Sequence, residues 1–157
     1  MVAIVLATLL VFAAVVALVE WRRWDSLNHT VALRNRISAT AAAEGEALFT
    51  YDYRDLAAAQ KRILAVAGGS FAQQETSANK SVETNLTKLK ATGTATVEEV
   101  SVTGDAGGQA AAFVVVDTQA HATGGSTSGV QYLSMTLGLD RGQWKVDSVQ
   151  SLVPPGS

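Results

Sequence analysis

Hydrophobic and polar positions follow three rhythms along this chain, and each predicts a different kind of element. From Val2 to Val19, "VAIVLATLLVFAAVVALV", only Thr8 is polar. A helix rises about 1.5 Å per residue, so a run of this length covers most of a hydrocarbon core about 30 Å thick. "EWRRW" follows at once, where Trp21 and Trp24 suit the headgroup layer and Arg22 and Arg23 can snorkel to phosphates. The pattern predicts a membrane anchor over residues 1–24, with the lipid bilayer as its partner. A cleaved secretory signal fits less well. No basic segment precedes the run, the run is too long, and no small-x-small site stands before the charges.

The second rhythm has a period near 3.6. Leu27, Val31, Ile37, Ala41 and Leu48 keep it from Asp25 onward and predict a helical stalk over 25–48. "LFTYDYRDLAAAQKRILAVAGG" then opens a further helix. Thr50 or Asp52 can cap it, and Asp52 and Asp55 both favour the positive end of its dipole. Tyr53, Leu56, Gln60, Ile63 and Ala67 make one largely apolar face. Gly68-Gly69 is expected to stop that helix in the left-handed conformation, with Ser70 capping the next. That next helix carries only a thin stripe of Phe71, Ala78, Val82, Leu86 and Leu89, and ends at Lys88, Lys90 and Gly93.

After Gly93 the period falls to two. "TATVEEVSVTG" is β-branched, and Glu98-Glu99 interrupts its alternation, as a bulge would. "QAAAFVVVDTQAH" is apolar on both faces, which suits a central strand, and "ATGGSTSG" reads as a flexible connection. "VQYLSMTLGLD" alternates cleanly, "DRG" is a tight turn, and "QWKVDSVQSLV" closes the sheet. Helices grouped before a meander predict an α+β domain over 49–153, with helices packed on a curved four-stranded antiparallel sheet and a short tail at 154–157. This is the layout of the nuclear-transport-factor-2-like cone, which hosts enzymes and scaffolds alike.

Composition narrows the chemistry. A net charge of −2 gives no electrostatic case for nucleic acid, and the lack of cysteine excludes disulfides and thiolate sites. His29 and His121 stand too far apart in the pattern to share a metal, and "TGGSTSG" lacks the lysine of a phosphate loop. Tyr51, Asp52, Tyr53 and Asp55 are the constellation to weigh, since a tyrosine and an aspartate can do acid–base work inside a cone. Helix capping accounts for the same acids. No catalytic, cofactor-binding or metal residue is therefore expected.

"LFTYDYRDLAAAQKRILAVAGGSFAQQ" and "RGQWKVDSVQSL" resemble the two hallmarks of the actinobacterial Mce-associated membrane proteins. The first is a Tyr-Asp-Tyr run opening a helix that ends before a Gly-x-Phe turn; the second is a closing Gly-x-Trp-x-Val-Asp strand. Carried onto this chain, the motif residues are Thr50, Tyr51, Asp52, Tyr53, Phe71, Trp144, Val146 and Asp147, and the resemblance implies that they build the fold. It also implies a non-catalytic accessory or scaffold subunit of an Mce-type lipid import complex, with Mce proteins as partners and the domain outside the cytoplasmic membrane. Arg22 and Arg23, by the positive-inside rule, would instead hold the domain in the cytoplasm. Two alternatives stand beside this one. One is an assembly subunit of a type IV secretion system, whose inner-membrane scaffold shares the anchor-plus-cone layout. The other is a small-molecule or lipid-binding cone, which a deep apolar pocket containing a buried Asp or His would favour.

Overall fold

The computed structural model describes residues 30–152. The expected anchor, with Trp21, Arg22, Arg23 and Trp24, lies outside the described residues, as do His29 and the expected tail. Among the described residues no helix is long and apolar enough to cross a membrane. The chain divides into two compact units, 1–35 and 36–157. Of the first, residues 30–35 are described, and they are helical.

The second unit begins with the continuation of that helix, α1, over 30–49. Ile37 and Ala41 have no exposed surface and Ala47 very little. Part of the segment expected as a stalk, from Arg36 onward, thus supplies a core helix to the second unit. Gly45 sets how close it lies to the sheet. A Cβ there would stand 3.2–3.3 Å from methyls of Val97, Val114 and Val116.

Tyr51-Asp52 does not begin a helix. It forms a two-residue strand, β1 (Tyr51–Asp52), so the antiparallel sheet has five strands instead of the four expected. The reason is an open edge: Tyr51 pairs with Gly93 and Asp52 with Thr92. Gly93 permits this because a Cβ there would meet the Phe49 carbonyl and the Tyr51 ring at 2.5 Å. A turn follows, and α2 (Leu56–Val66) starts at Asp55, whose carboxylate accepts from Ala58 N–H. Asp55 is thus the cap, in place of Thr50 or Asp52.

The Gly68-Gly69 elbow also departs from expectation. Neither glycine is left-handed. Ala67 is extended and bridges Val146, Gly68 N–H donates to the Val146 carbonyl at 2.6 Å, and α3 (Gly69–Leu89) begins directly. A tertiary hydrogen bond has taken the place of the local helix stop. At the far end Lys90, at φ 50, closes α3 in the left-handed conformation.

The sheet then runs as a plain meander, in order β1-β2-β3-β4-β5: β2 (Thr92–Ala106), β3 (Gln109–Ala122), β4 (Gly125–Asp140) and β5 (Gln143–Leu152). Gly107-Gly108 and Arg141-Gly142 make two-residue turns with positive φ at both positions. The "ATGGSTSG" stretch is mostly strand. Ser126 to Gly129 pair with His121 to Thr118, and Thr118 Oγ1 donates to the Gly129 carbonyl at 2.8 Å. Register shifts leave Glu98 as a bulge in β2, as its position suggested, and Asp147 as the extra residue of β5. One face of the sheet carries the core: Ala110, Ala112, Val114 and Val116 of β3, Leu133, Met135 and Leu137 of β4, and Trp144 and Val146 of β5. On the other face Phe113 and Tyr132 stack with ring centroids 6.1 Å apart.

Candidate functional site

α1 reads Ile37, Ala41, Glu44, Leu48 at spacings of four, three and four, so a carboxylate occupies a position of its apolar stripe. Glu44 has no exposed surface, and neither carboxylate oxygen has a hydrogen-bond partner. Burial pushes its pKa up to about 8, with a smaller contribution from the charge of Glu75 on α3. Glu75, only half-buried, is raised as well, by burial. Near neutral pH Glu44 is therefore mostly a neutral carboxylic acid, which spares the domain the cost of an isolated buried charge.

Beside this pair lies a cavity of about 190 Å³. It forms because small residues meet there, Ala47 of α1, Ala59 of α2 and Ala78 of α3, while the larger Leu48, Leu56, Ile63, Val82 and Leu86 stand around it. Its polar lining consists of Tyr51, Gln60, Glu75 and Glu83. The small-molecule-binding alternative calls for a buried Asp or His in such a pocket; the acids lining this one are the glutamates Glu75 and Glu83.

The residues of the Tyr-Asp-Tyr motif are spread over several tasks. Thr50 N–H closes α1 on the Glu46 carbonyl at 3.0 Å, and the Thr50 carbonyl accepts from Arg62 at 2.9 Å. Tyr51 packs on Gly93 and turns to the cavity. Asp52 forms an exposed ion pair with Arg54, whose hydrogen bonds hold its pKa down to about 2. Tyr53 N–H donates to the Ala91 carbonyl at 3.1 Å, and the Arg54 guanidinium lies 5.9 Å from the Tyr53 ring centre.

The second group gathers at the elbow. Phe71, Trp144 and Val146 are buried, and the Asp147 carboxylate fills the space beside both Gly68 and Gly138, where a Cβ on either glycine would collide with it. Lys145 reaches back from β5 and donates to the Ala65 carbonyl at 2.6 Å, satisfying the last turn of α2. So Val146 and Asp147 meet the Ala67-Gly68 elbow, Phe71 and Trp144 are buried, and Thr50 to Tyr53 belong to a separate cluster around β1.

Other polar groups are accounted for locally. His121 Nδ1 lies 2.6 Å from Ser126 Oγ at the β3–β4 end. Among the described residues no group of three or more His, Cys, Asp or Glu could hold a metal ion. Glu44 is the residue the pattern reading passed over. Its signal was available, as a charge falling between Ala41 and Leu48 on a stripe already recognised as apolar.

No family model matches this chain, and no curated protein does. Solved structures do match. An IcmL-like type IV secretion system protein from Legionella pneumophila superposes with a TM-score of 0.64 at 17% identity, over 79% of this chain and 96% of that one. The periplasmic domain of DotI gives 0.61 at 11% identity, over 74% and 92%. CagV, a VirB8 homolog of the type IV secretion system of Helicobacter pylori, gives 0.56 at 12% identity, over 74% and 96%. At such identities the likeness is one of fold. The fold is nuclear-transport-factor-2-like, as its layout implied.

Proposed function

We propose that this chain is a non-catalytic, membrane-anchored scaffold subunit of an envelope-spanning assembly, and that the assembly is of the type IV secretion kind. The observation that carries this is the completeness of the match: the domain accounts for 96% of the IcmL-like protein and 92% of the DotI periplasmic domain. An apolar run with Trp-Arg-Arg-Trp at its end precedes the domain, the arrangement expected of an anchored subunit. On this reading the domain stands on the extracytoplasmic side, and the anchor and the sheet surfaces supply contacts.

A second reading, an accessory subunit of an Mce-type lipid importer, has one observation in its favour. Val146 and Asp147 of the second motif pack against Gly68, the glycine that follows the helix of the first. Mild detergent extraction of the tagged chain from its native membranes, with mass spectrometry of what remains bound, separates the two. Secretion-system ATPase and channel components support the first reading. Recovery of Mce proteins and their permeases moves the chain to the second, and a lone chain with neither set overturns both.

A further inference from the structure

We infer that the open part of the β4 edge, residues 125–131, pairs antiparallel with the same stretch of a second copy of this chain, Ser128 facing Ser128 across a two-fold axis. This goes beyond the scaffold reading and does not rest on it. β5 covers β4 only from Tyr132 to Asp140, and among the described residues no strand pairs with 125–131 on that side. Continuing β5 in register would set Pro154 and Pro155 against Val130 and Gly129, and neither proline has an N–H to give. The edge is nevertheless held in place. β3 pairs with all of it on the other side. At the hairpin tip the N–H and Oγ1 of Thr123 both donate to the Leu89 carbonyl, at 2.9 and 2.7 Å.

The remaining open edges carry features that oppose pairing. β2 beyond β1 is broken by two register shifts and carries Glu98 and Glu99. β5 has Lys145 and its bulge at Asp147, and Ala67 bridges it. The stretch 125–131 has no charge, no proline and no register shift, and residues 125–130 are exposed. Its backbone also matches itself. The Gly129 carbonyl turns to β3, where Thr118 Oγ1 donates to it, so by alternation the N–H and C=O groups of Ser126, Ser128 and Val130 point to the open side. An axis at the middle residue sets Ser128 against Ser128 and Ser126 against Val130. Every outward group then has a partner, in about six hydrogen bonds. The charges agree as well. No like charges meet across the axis, and the row Asp117–Val130 of one copy runs on into Ser126–His121 of the other, an acid at one end and an imidazole at the other. A surface that complements itself about its own centre is what a two-fold contact needs.

The chain has no cysteine, so single cysteines in the full chain, kept in mild detergent, report the register. Ser128→Cys is expected to form a disulfide-linked dimer on mild oxidation, since facing Cα atoms of a hydrogen-bonded pair lie about 5.5 Å apart, within disulfide reach. Ser126→Cys and Val130→Cys are each expected to stay uncross-linked alone, being about 14 Å from their own copies along the strand, and to cross-link when the two are mixed. Adding Ser128→Lys to both members of that mixture sets like charges face to face and is expected to slow the cross-link about fivefold. Amide exchange of the unaltered chain gives a second measurement: Ser126, Ser128 and Val130 are expected to lose protection on dilution, while Thr127 and Gly129 keep theirs. Cross-linking equal at all three positions or absent from all, or free exchange of those three amides at every concentration, overturns the pairing. Protection of those amides in a chain that forms no disulfide assigns the edge to an unlike strand and overturns it too.

Discussion

The helical layer of this domain meets its neighbours in two ways. Where α1 lies on the sheet, contact is close and dry: Gly45 leaves no room above Val97, Val114 and Val116, and Ile37, Val114, Leu137 and Val146 have no exposed surface. Where α2 and α3 face each other, small side chains meet and a cavity remains. Past Phe71, none of the described side chains of α3 is fully buried. The first region carries the stability of the domain, and the second is free to hold something.

Substitution puts that contrast to the test most directly. Leu137→Ala, at a site with no exposed surface, is expected to cost about 2–5 kcal/mol in urea unfolding. Leu86→Ala, in the half-buried wall of the cavity, is expected to cost less than about 1 kcal/mol, since it enlarges a space already open. Equal losses would erase the distinction between the two contacts.

A second effect is electrostatic. Glu44 ionises at its ordinary value of 4.5 when unfolded and at about 8 in the folded domain. Between those values the folded state holds a proton that the unfolded state has released. Stability is therefore complete below about pH 4.5, declines as the pH rises, and levels off past about 8. The decline across the window is expected to reach roughly 5 kcal/mol. Glu75, raised in the same direction, adds to it. Urea unfolding of Glu44→Gln at a series of pH values is expected to give a nearly flat profile; a slope like that of the unaltered chain would place the titrating group elsewhere.

Smaller effects separate the parts of the Tyr-Asp-Tyr segment. Gly93→Ala forces the Phe49 carbonyl and the Tyr51 ring aside and is expected to cost about 1–3 kcal/mol. Hydrogen exchange should show that loss concentrated at β1. Asp55→Ala removes the α2 cap, an expected loss of about 1 kcal/mol. By contrast Asp52→Asn, which breaks only an exposed pair with Arg54, is expected to leave the thermal midpoint unchanged. A larger effect from Asp52 than from Asp55 would restore Asp52 as the helix-starting acid.

These residues also mark what the sequence made legible. Period-two alternation identified the strands carrying Leu133, Met135 and Leu137, and the paired acids at Glu98-Glu99 located a bulge, because strand side chains report their face directly. The helix order was legible for the same reason. What escaped depended on contacts between distant segments. Tyr51-Asp52 is a strand only because β2 offers it an edge forty residues on, and Gly68 is extended only because Val146 accepts its N–H. Glu44 escaped differently: it stands on the apolar stripe between Ala41 and Leu48, but beside Glu46 it reads as one of two solvated acids. The motif residues could be named, but their division between the β1 cluster and the elbow could not.

The meander has a temporal side. Every pairing from β2 to β5 joins segments adjacent in sequence, through two-residue turns at Gly107-Gly108 and Arg141-Gly142, so the sheet can assemble quickly from local pieces. The helices, however, are synthesised before any of it. While the ribosome completes residues 92–152, α1 to α3 have nothing to cover, and an apolar helix in that interval would invite aggregation. The polar run "QQETSANKSVETN" in α3 then serves a stage that the finished fold no longer displays: it keeps the longest described helix in water until its sheet arrives.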